Sequence, residues 1–339
     1  MTLTAWAVTT GEMVFRDRAL PGAVLTRIAA SNIRVGTFQY FAARGDEDAI
    51  KMLADYVIER HYPALRDEAN PYLALLATVV DRQASLIAQW LNIGFIHGVM
   101  NTDNMTISGE TIDFGPCAFM DAYDAGTVFS SIDQFGRYAY AQQPHIAQWN
   151  LTRLAETLLG LIDPDEKQSI ALASEVLDSF AGRFEHYWLA GMRQKLGLLT
   201  TQDGDRALVL NLLKTMQENT VDFTLFFRQL STAEADPRRL FSTPEAFDQW
   251  AETWHERLGG EARDPAARTL AMRQVNPAFI PRNHLVEQAL AAAVDHADFQ
   301  PFHELLAVLQ NPFEEQPAHA HYAAAPPVSE TAYRTFCGT

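Results

Sequence analysis

The chain has 339 residues, 48% hydrophobic and 20% charged, enough to bury a large core as one or two domains. Its net charge of −16 argues against nucleic acid or an anionic membrane as partner, because both need a basic surface. No basic stretch precedes an apolar run at the N-terminus, the longest apolar run (Leu73 to Val80) is too short for a bilayer, and Cys117 and Cys337 make no disulfide framework, so a cytoplasmic protein is expected.

Residues 3 to 16, LTAWAVTTGEMVFR, read as a short β-hairpin broken at Thr-Gly-Glu. After Pro21-Gly22 the pattern AVLTRIAASNIRVG predicts a helix, with Val24, Ile28 and Ile33 at helical spacing and Gly36 as its stop. EDAIKMLADYVIERHY predicts a second helix, with Ile50, Leu53, Ala54, Val57 and Ile58 on one face. Pro71 opens a long third helix with a wide apolar face from Leu75 to Leu91, ended by Asn92 to Gly94. The chain then enters FIHGVMNTDNMTISGETIDFGP, residues 95–116, where MTIS and TIDF form a hairpin around Gly109-Glu110. From about residue 144 the patterns are helical: LTRLAETLLGLI, SIALASEVLDSFAGRFEHYWLAGM, RALVLNLLKTM, DFTLFFRQL, AFDQWAETWHERL, HLVEQALAAAVDHA and FHELLAVLQ. The closing Pro/Ala-rich residues are expected to be irregular. The fold class is α+β and predominantly helical. Its expected divisions are 1–143 with the catalytic loop and metal site, 144–314 as a helical region, and 315–339 as a tail.

Asn104 precedes the first strand of the 105–114 hairpin and Asp113 lies at the end of the second, so a hairpin of that length brings them to one mouth. Oxygen ligands of this kind hold Mg²⁺ (or Mn²⁺) against a nucleotide's phosphates. In protein kinases an Asn of the catalytic loop and the Asp of Asp-Phe-Gly do so. Yet the position after His97-Gly98, where such enzymes keep their catalytic aspartate, holds Val99. Asp103 is the replacement candidate: it accepts a proton from an attacking hydroxyl, or it caps the hairpin or ligates a second metal. Arg27 and Arg34 are seven apart, two turns of the expected helix, and there they either clamp a polyphosphate or pair with carboxylates and face water. His97 is read as a support of the loop. His319 and His321 lack a third ligand for a metal, and nothing near Cys117 activates its thiol.

HGVMNTDNMTISGETIDFGPCAFMD resembles the signature of the selenoprotein O family, a group of kinase-fold proteins. The resemblance extends through VTTGE, PGAVLTRIAASNIRVGTFQYF, QFGRYAYAQQPHIAQWNLTRLAETL, DFTLFFRQL, NPAFIPRNHLVEQAL and VLQNPFEEQ to TFCGT, effectively the whole chain. It implies a protein-kinase-like fold, mainly the helical C-terminal lobe, and a protein adenylyltransferase that binds ATP in a flipped orientation. Such an enzyme moves AMP to Ser, Thr or Tyr hydroxyls of other proteins and releases pyrophosphate. By the same resemblance Asp103 is the proton acceptor, Asn104 and Asp113 bind Mg²⁺, and Arg27 and Arg34 hold the inverted phosphates.

Family members carry a preceding lobe with a Gly-rich segment and an ATP-binding lysine, whereas here the first lysine, Lys51, follows both arginines. The expectation is therefore a missing N-terminal lobe and weak or absent transfer. Bacterial relatives can also bridge a C-terminal cysteine, matched by Cys337, to a position that is Phe129 here, so that disulfide is expected to be absent. Two other classes remain: a catalytically inactive remnant, and a small-molecule phosphotransferase of the aminoglycoside-kinase type, against which Val99 stands.

Overall fold

Residues rich in β-branched and aromatic types form β1 (Thr4–Phe15), which pairs antiparallel with β2 (Ala19–Ile28). A computed structural model describes residues 4–15, 19–262, 264–327 and 333–336. The connection at residues 16–18 lies outside the described residues. The Thr-Gly-Glu break is an irregularity inside β1, between Thr9 and Met13, with Gly11 at φ 74°, and is not the turn of a hairpin within 3–16. AVLTRI is the second strand and not a helix. Val8 faces Val24 and Ala7 faces Leu25 across the pair, so the spacing of Val24, Ile28 and Ile33 was coincidental. Both faces of this ribbon leave apolar side chains exposed, among them Val8, Phe15, Val24 and Leu25.

The first helix, α1 (Val35–Ala42), starts where the expected one was to stop. Then α2 (Glu47–His61) is capped by Asp46, whose carboxylate accepts the Ala49 N–H at 3.0 Å. Asn70 caps α3 (Pro71–Asn92) the same way, accepting from Leu73 at 3.0 Å, with Pro71 in the first turn. The short strands β3 (Phe95–Ile96) and β4 (Ala118–Phe119) pair antiparallel on either side of the loop that carries the candidate site.

The rest is helical: α4 (Gln143–Ile162), α5 (Glu166–Lys195), α6 (Asp205–Glu218), α7 (Phe223–Leu230) and α8 (Pro244–Gly259) are followed by α9 (Pro265–Val275), α10 (Asn283–His296) and α11 (Gln300–Leu309). α9 was not foreseen; only Met272 of it is buried, which leaves little periodicity to read. α3 packs against α4 and α5, and one apolar core runs from Val35 on α1 to Met272 on α9. No helix among the described residues is long and apolar enough to cross a membrane.

The tail is less irregular than expected. Residues Pro317–Ala323 form a 3₁₀ segment that buries Tyr322 in a small second core with Phe279 and Leu305. Thr335 pairs with Ser130, and its hydroxyl donates to the Pro116 carbonyl at 2.7 Å. Phe129 meets Tyr333 edge to face at 5.9 Å, while Cys337 lies outside the described residues.

Lys195 ends α5 only 2% exposed, with Nζ 4.1 Å from the Phe227 ring centre and 5.2 Å from that of Phe223. Burial pulls its ammonium down to about 7. The unfolded chain therefore binds a proton that the folded chain lacks between pH 7 and about 10.4, and native stability rises with pH across that window by about 1.4 kcal/mol per unit. Lys195→Met, close in volume, is expected to raise Tm by several degrees at pH 7 and by less at pH 9. Thermal melts at the two pH values check this, and a gain that does not shrink with pH would refute it.

Candidate active site

The loop after β3 is held by side-chain amides acting as surrogate strands. Gln143, fully buried at the start of α4, accepts the His97 N–H through Oε1 at 3.0 Å and donates through Nε2 to the Phe95 carbonyl at 3.0 Å. Asn150 on the same helix donates to Met100 O at 2.8 Å. The buried His97 ring supports the loop from inside: Nδ1 accepts from the Val99 N–H at 3.4 Å, and Nε2–H donates to Ile112 O at 2.8 Å. This is the neutral tautomer, and burial keeps the imidazole below its ordinary pKa. Gly98 has φ 84°, and a Cβ there would lie 2.7 Å from the Pro116 carbonyl oxygen. Glycine thus lets the loop approach the Asp113-Phe114-Gly115-Pro116 turn.

Asn101 then starts a 3₁₀ turn, Thr102–Asn104, its Oδ1 accepting the Asp103 N–H at 3.1 Å. Asp103 is exposed on this turn. Asn104 donates Nδ2 to the Val99 carbonyl at 2.9 Å, and among the described residues its Oδ1 accepts no hydrogen bond, which leaves it available as an oxygen ligand. The expected MTIS–TIDF hairpin is reduced to one antiparallel bridge, Met105 to Thr111. Residues 105–107 turn their backbone elsewhere: Val35 N–H donates to Met105 O, Ile107 N–H to Ile33 O, and the Gln83 amide to Thr106 O at 2.6 Å. The loop closes instead through Thr106 Oγ1, which accepts from Glu110 N at 3.0 Å and donates to Glu110 O at 2.8 Å. Glu110 Oε2 accepts the Ala30 N–H at 2.9 Å, fastening the β2–α1 connection to the turn.

Asn104 lies one residue before the bridge and Asp113 two residues after it, so both flank the same bridged end. Asp113 is left-handed at φ 58°, a conformation Asp tolerates better than most residues. Among the described residues no group of three or more His, Cys, Asp and Glu is arranged to hold a metal. A pair of oxygen donors is nevertheless what Mg²⁺ takes from a protein when phosphates and water fill the other positions, and the free Oδ1 of Asn104 fits that use.

The two arginines part company. Arg34 immediately precedes α1, its N–H donating to Thr37 Oγ1 at 3.1 Å, and its guanidinium donates through Nη1 to Asp103 O at 3.1 Å. Its buried Nε has no hydrogen-bond partner among the described residues. Arg34, Gly36, Tyr40, Arg44 and Asp103 line a cleft of about 570 Å³. Arg27 sits on β2 opposite Ala5, exposed. The two-turn helical face that was to align it with Arg34 does not exist, because residues 19–28 are a strand. The structure brings the Arg34 guanidinium to the loop that carries Asp103 and Asn104, and Arg27 does not line that cleft.

Sequence reading missed Gln143, Asn150 and Glu110, whose types carry no signal until their backbone partners are known. His319 and His321 belong to the 3₁₀ segment, where the His321 ring lies 4.1 Å from that of Tyr322. Burial pushes the Cys117 thiol up to about 12, and Sγ donates to Phe114 O at 3.3 Å, which favours the unreactive thiol form.

Residues 2–310 match the family model described as protein adenylyltransferase SelO. The chain is 61% identical to the protein nucleotidyltransferase YdiU of Rhizobium rhizogenes (strain K84 / ATCC BAA-868) over 98% of its own length and 68% of the relative's. Its identity to the proteins of the same description from Rhizobium meliloti (strain 1021) and Methylorubrum extorquens (strain PA1) is 59% and 58%, each over 98% of this chain and 69% of the relative. The family match runs from residue 2 and does not bear out the expectation of a missing N-terminal lobe.

Proposed function

We propose, from the premise that this chain belongs to the SelO protein adenylyltransferase family, that it transfers AMP from ATP to Ser, Thr or Tyr hydroxyls of proteins and releases pyrophosphate. The observation that carries this reading is the pairing of Arg34 with Asp103. The guanidinium is tethered to the loop through the Asp103 carbonyl, yet among the described residues neither side chain enters an ion pair. A carboxylate free to take a proton thus lies beside a cation with a donor to spare, in one cleft.

In this reading the acceptor hydroxyl oxygen attacks the α-phosphorus. The bond from that phosphorus to the bridging oxygen breaks, pyrophosphate leaves with the electron pair, and the hydroxyl proton passes to the Asp103 carboxylate. Arg34 neutralises the departing phosphates. Asn104 Oδ1 and the Asp113 carboxylate would hold Mg²⁺ or Mn²⁺, which supplies further charge neutralisation when bound. The order His-Gly, Asn, Asp-Phe-Gly fits a protein-kinase-like arrangement with the nucleotide reversed, so that Val99 needs no carboxylate. A cytoplasmic setting, with ATP and hydroxyl-bearing proteins as partners, is part of the same proposal.

The test uses ATP labelled at either the α- or the γ-phosphorus with the protein and a generic acceptor protein. Label is expected to reach protein from the α-position only, with mass spectrometry locating AMP on a hydroxyl side chain. Transfer from the γ-position would show a kinase instead.

A further inference from the structure

We propose that Gly36 is a positioning residue for Asp103, an inference that rests on the reading of Asp103 as proton acceptor. Gly36 lies in the first turn of α1, and a Cβ built there would fall 2.1 Å from Asp103 Oδ1, 3.0 Å from its Cγ and 3.4 Å from its Cα. The Oδ1 distance is shorter than side chains tolerate and the Cγ distance is tight, so the carboxylate occupies the volume that every other residue at position 36 would fill.

Nothing else about position 36 requires glycine. Its φ is not left-handed, and it lies inside a helix, where glycine is the least favourable residue apart from proline. The missing side chain is therefore explained by what it admits. The turn that carries Asp103 is fixed from below, by Asn101 to the Asp103 N–H and by Arg34 to the Asp103 carbonyl. With the backbone clamped at both groups, a Cβ on α1 is relieved by rotation of the carboxylate alone. That rotation takes the proton acceptor out of its place in the cleft while leaving Arg34, Asn104 and Asp113 where they are.

Gly36→Ala is expected to melt within about 2 °C of the parent, since alanine favours the helix as much as the contact opposes it. ATP affinity with Mg²⁺ should stay within about threefold, and kcat for AMP transfer should fall on the order of a hundredfold, the low end of what a positioned general base contributes. In an Asp103→Ala background the same change should cost no further activity, because the group it displaces is gone. A crystal structure of Gly36→Ala, independent of turnover, is expected to show the Asp103 carboxylate swung away over an unmoved α1.

Native kcat in Gly36→Ala, with Asp103→Ala inactive, would overturn this inference and leave the proposed function standing. An equal loss in both backgrounds, or a helix shifted under an unmoved carboxylate, would show Gly36 to be structural. Native transfer by Asp103→Ala would remove the proton acceptor itself, and with it this role.

Discussion

Asp113→Asn is expected to weaken Mg²⁺-dependent ATP binding on the order of a hundredfold or more, if Asp113 holds the metal as proposed, and to leave Tm within a few degrees. The substitution isolates charge from conformation. Asp113 sits at φ 58°, where Asn is as well tolerated as Asp, so the backbone of the Asp-Phe-Gly turn is retained. Asp113→Ala would add the strain of a left-handed alanine and confound the result. The hydrogen bonds around the turn run through neighbouring backbone, from His97 to Ile112 O and from Cys117 to Phe114 O, and not through the carboxylate. A hard cation in a site with only one other protein oxygen depends on that one negative charge. Calorimetry of ATP binding with and without Mg²⁺ measures the effect. Unchanged affinity in the presence of the metal would remove Asp113 from the site.

Arg282→Met is expected to lower Tm by roughly 4 to 7 °C at neutral pH, and by less at pH 5. Arg282 is 1% exposed and donates through Nη1 to Asp121 at 2.6 Å and to Asp222 at 2.7 Å, and through Nη2 to Asp222 at 3.2 Å and to Ala323 O at 3.2 Å. Asp222 also caps α7, accepting the Leu225 N–H at 2.8 Å. One guanidinium therefore ties the segment after β4, the start of α7, the start of α10 and the tail.

Breaking a buried pair leaves an uncompensated charge and costs about 3 to 5 kcal/mol, which for a chain of this size is roughly 4 to 7 °C. The pH dependence follows from Asp222, whose carboxyl burial already raises above its ordinary value while Arg282 opposes the rise. Without the arginine the folded-state pKa climbs further above the unfolded value of about 3.9. A carboxyl with a raised folded pKa holds its proton preferentially in the folded chain, so stability falls as pH rises through that window. Melts of both proteins at pH 5 and pH 8 test this. An equal loss at the two values would exclude the carboxylates as its cause.

Much of the helical scaffold was legible because its periodicity and its caps lie close together in the chain. The expected helix from Glu47 ends within a residue of α2, and Pro71 to Asn92 matches α3, since Asp46, Asn70 and Pro71 mark their starts and one face of each is buried. The sequence by itself also determined the order His97-Gly98, Asn104 and Asp113 along one loop, because those residues are local to each other. Tertiary structure alone decided the state of residues 19–28. Their apolar residues fit a loose helical period as well as a strand, and what selects the strand is β1, on the far side of residues 16–18. With that choice the relation of Arg27 to Arg34 changed from a shared helix face to two separate elements. Gly36 changed likewise, from a helix stop to the floor under Asp103, because a glycine's meaning lies in the atom that occupies its missing Cβ, here 67 positions away in the chain. Gln143 and Arg282 were unreadable for the same reason: an amide or a guanidinium can satisfy many partners, and only the packing of distant segments determines which backbone or carboxylate it meets.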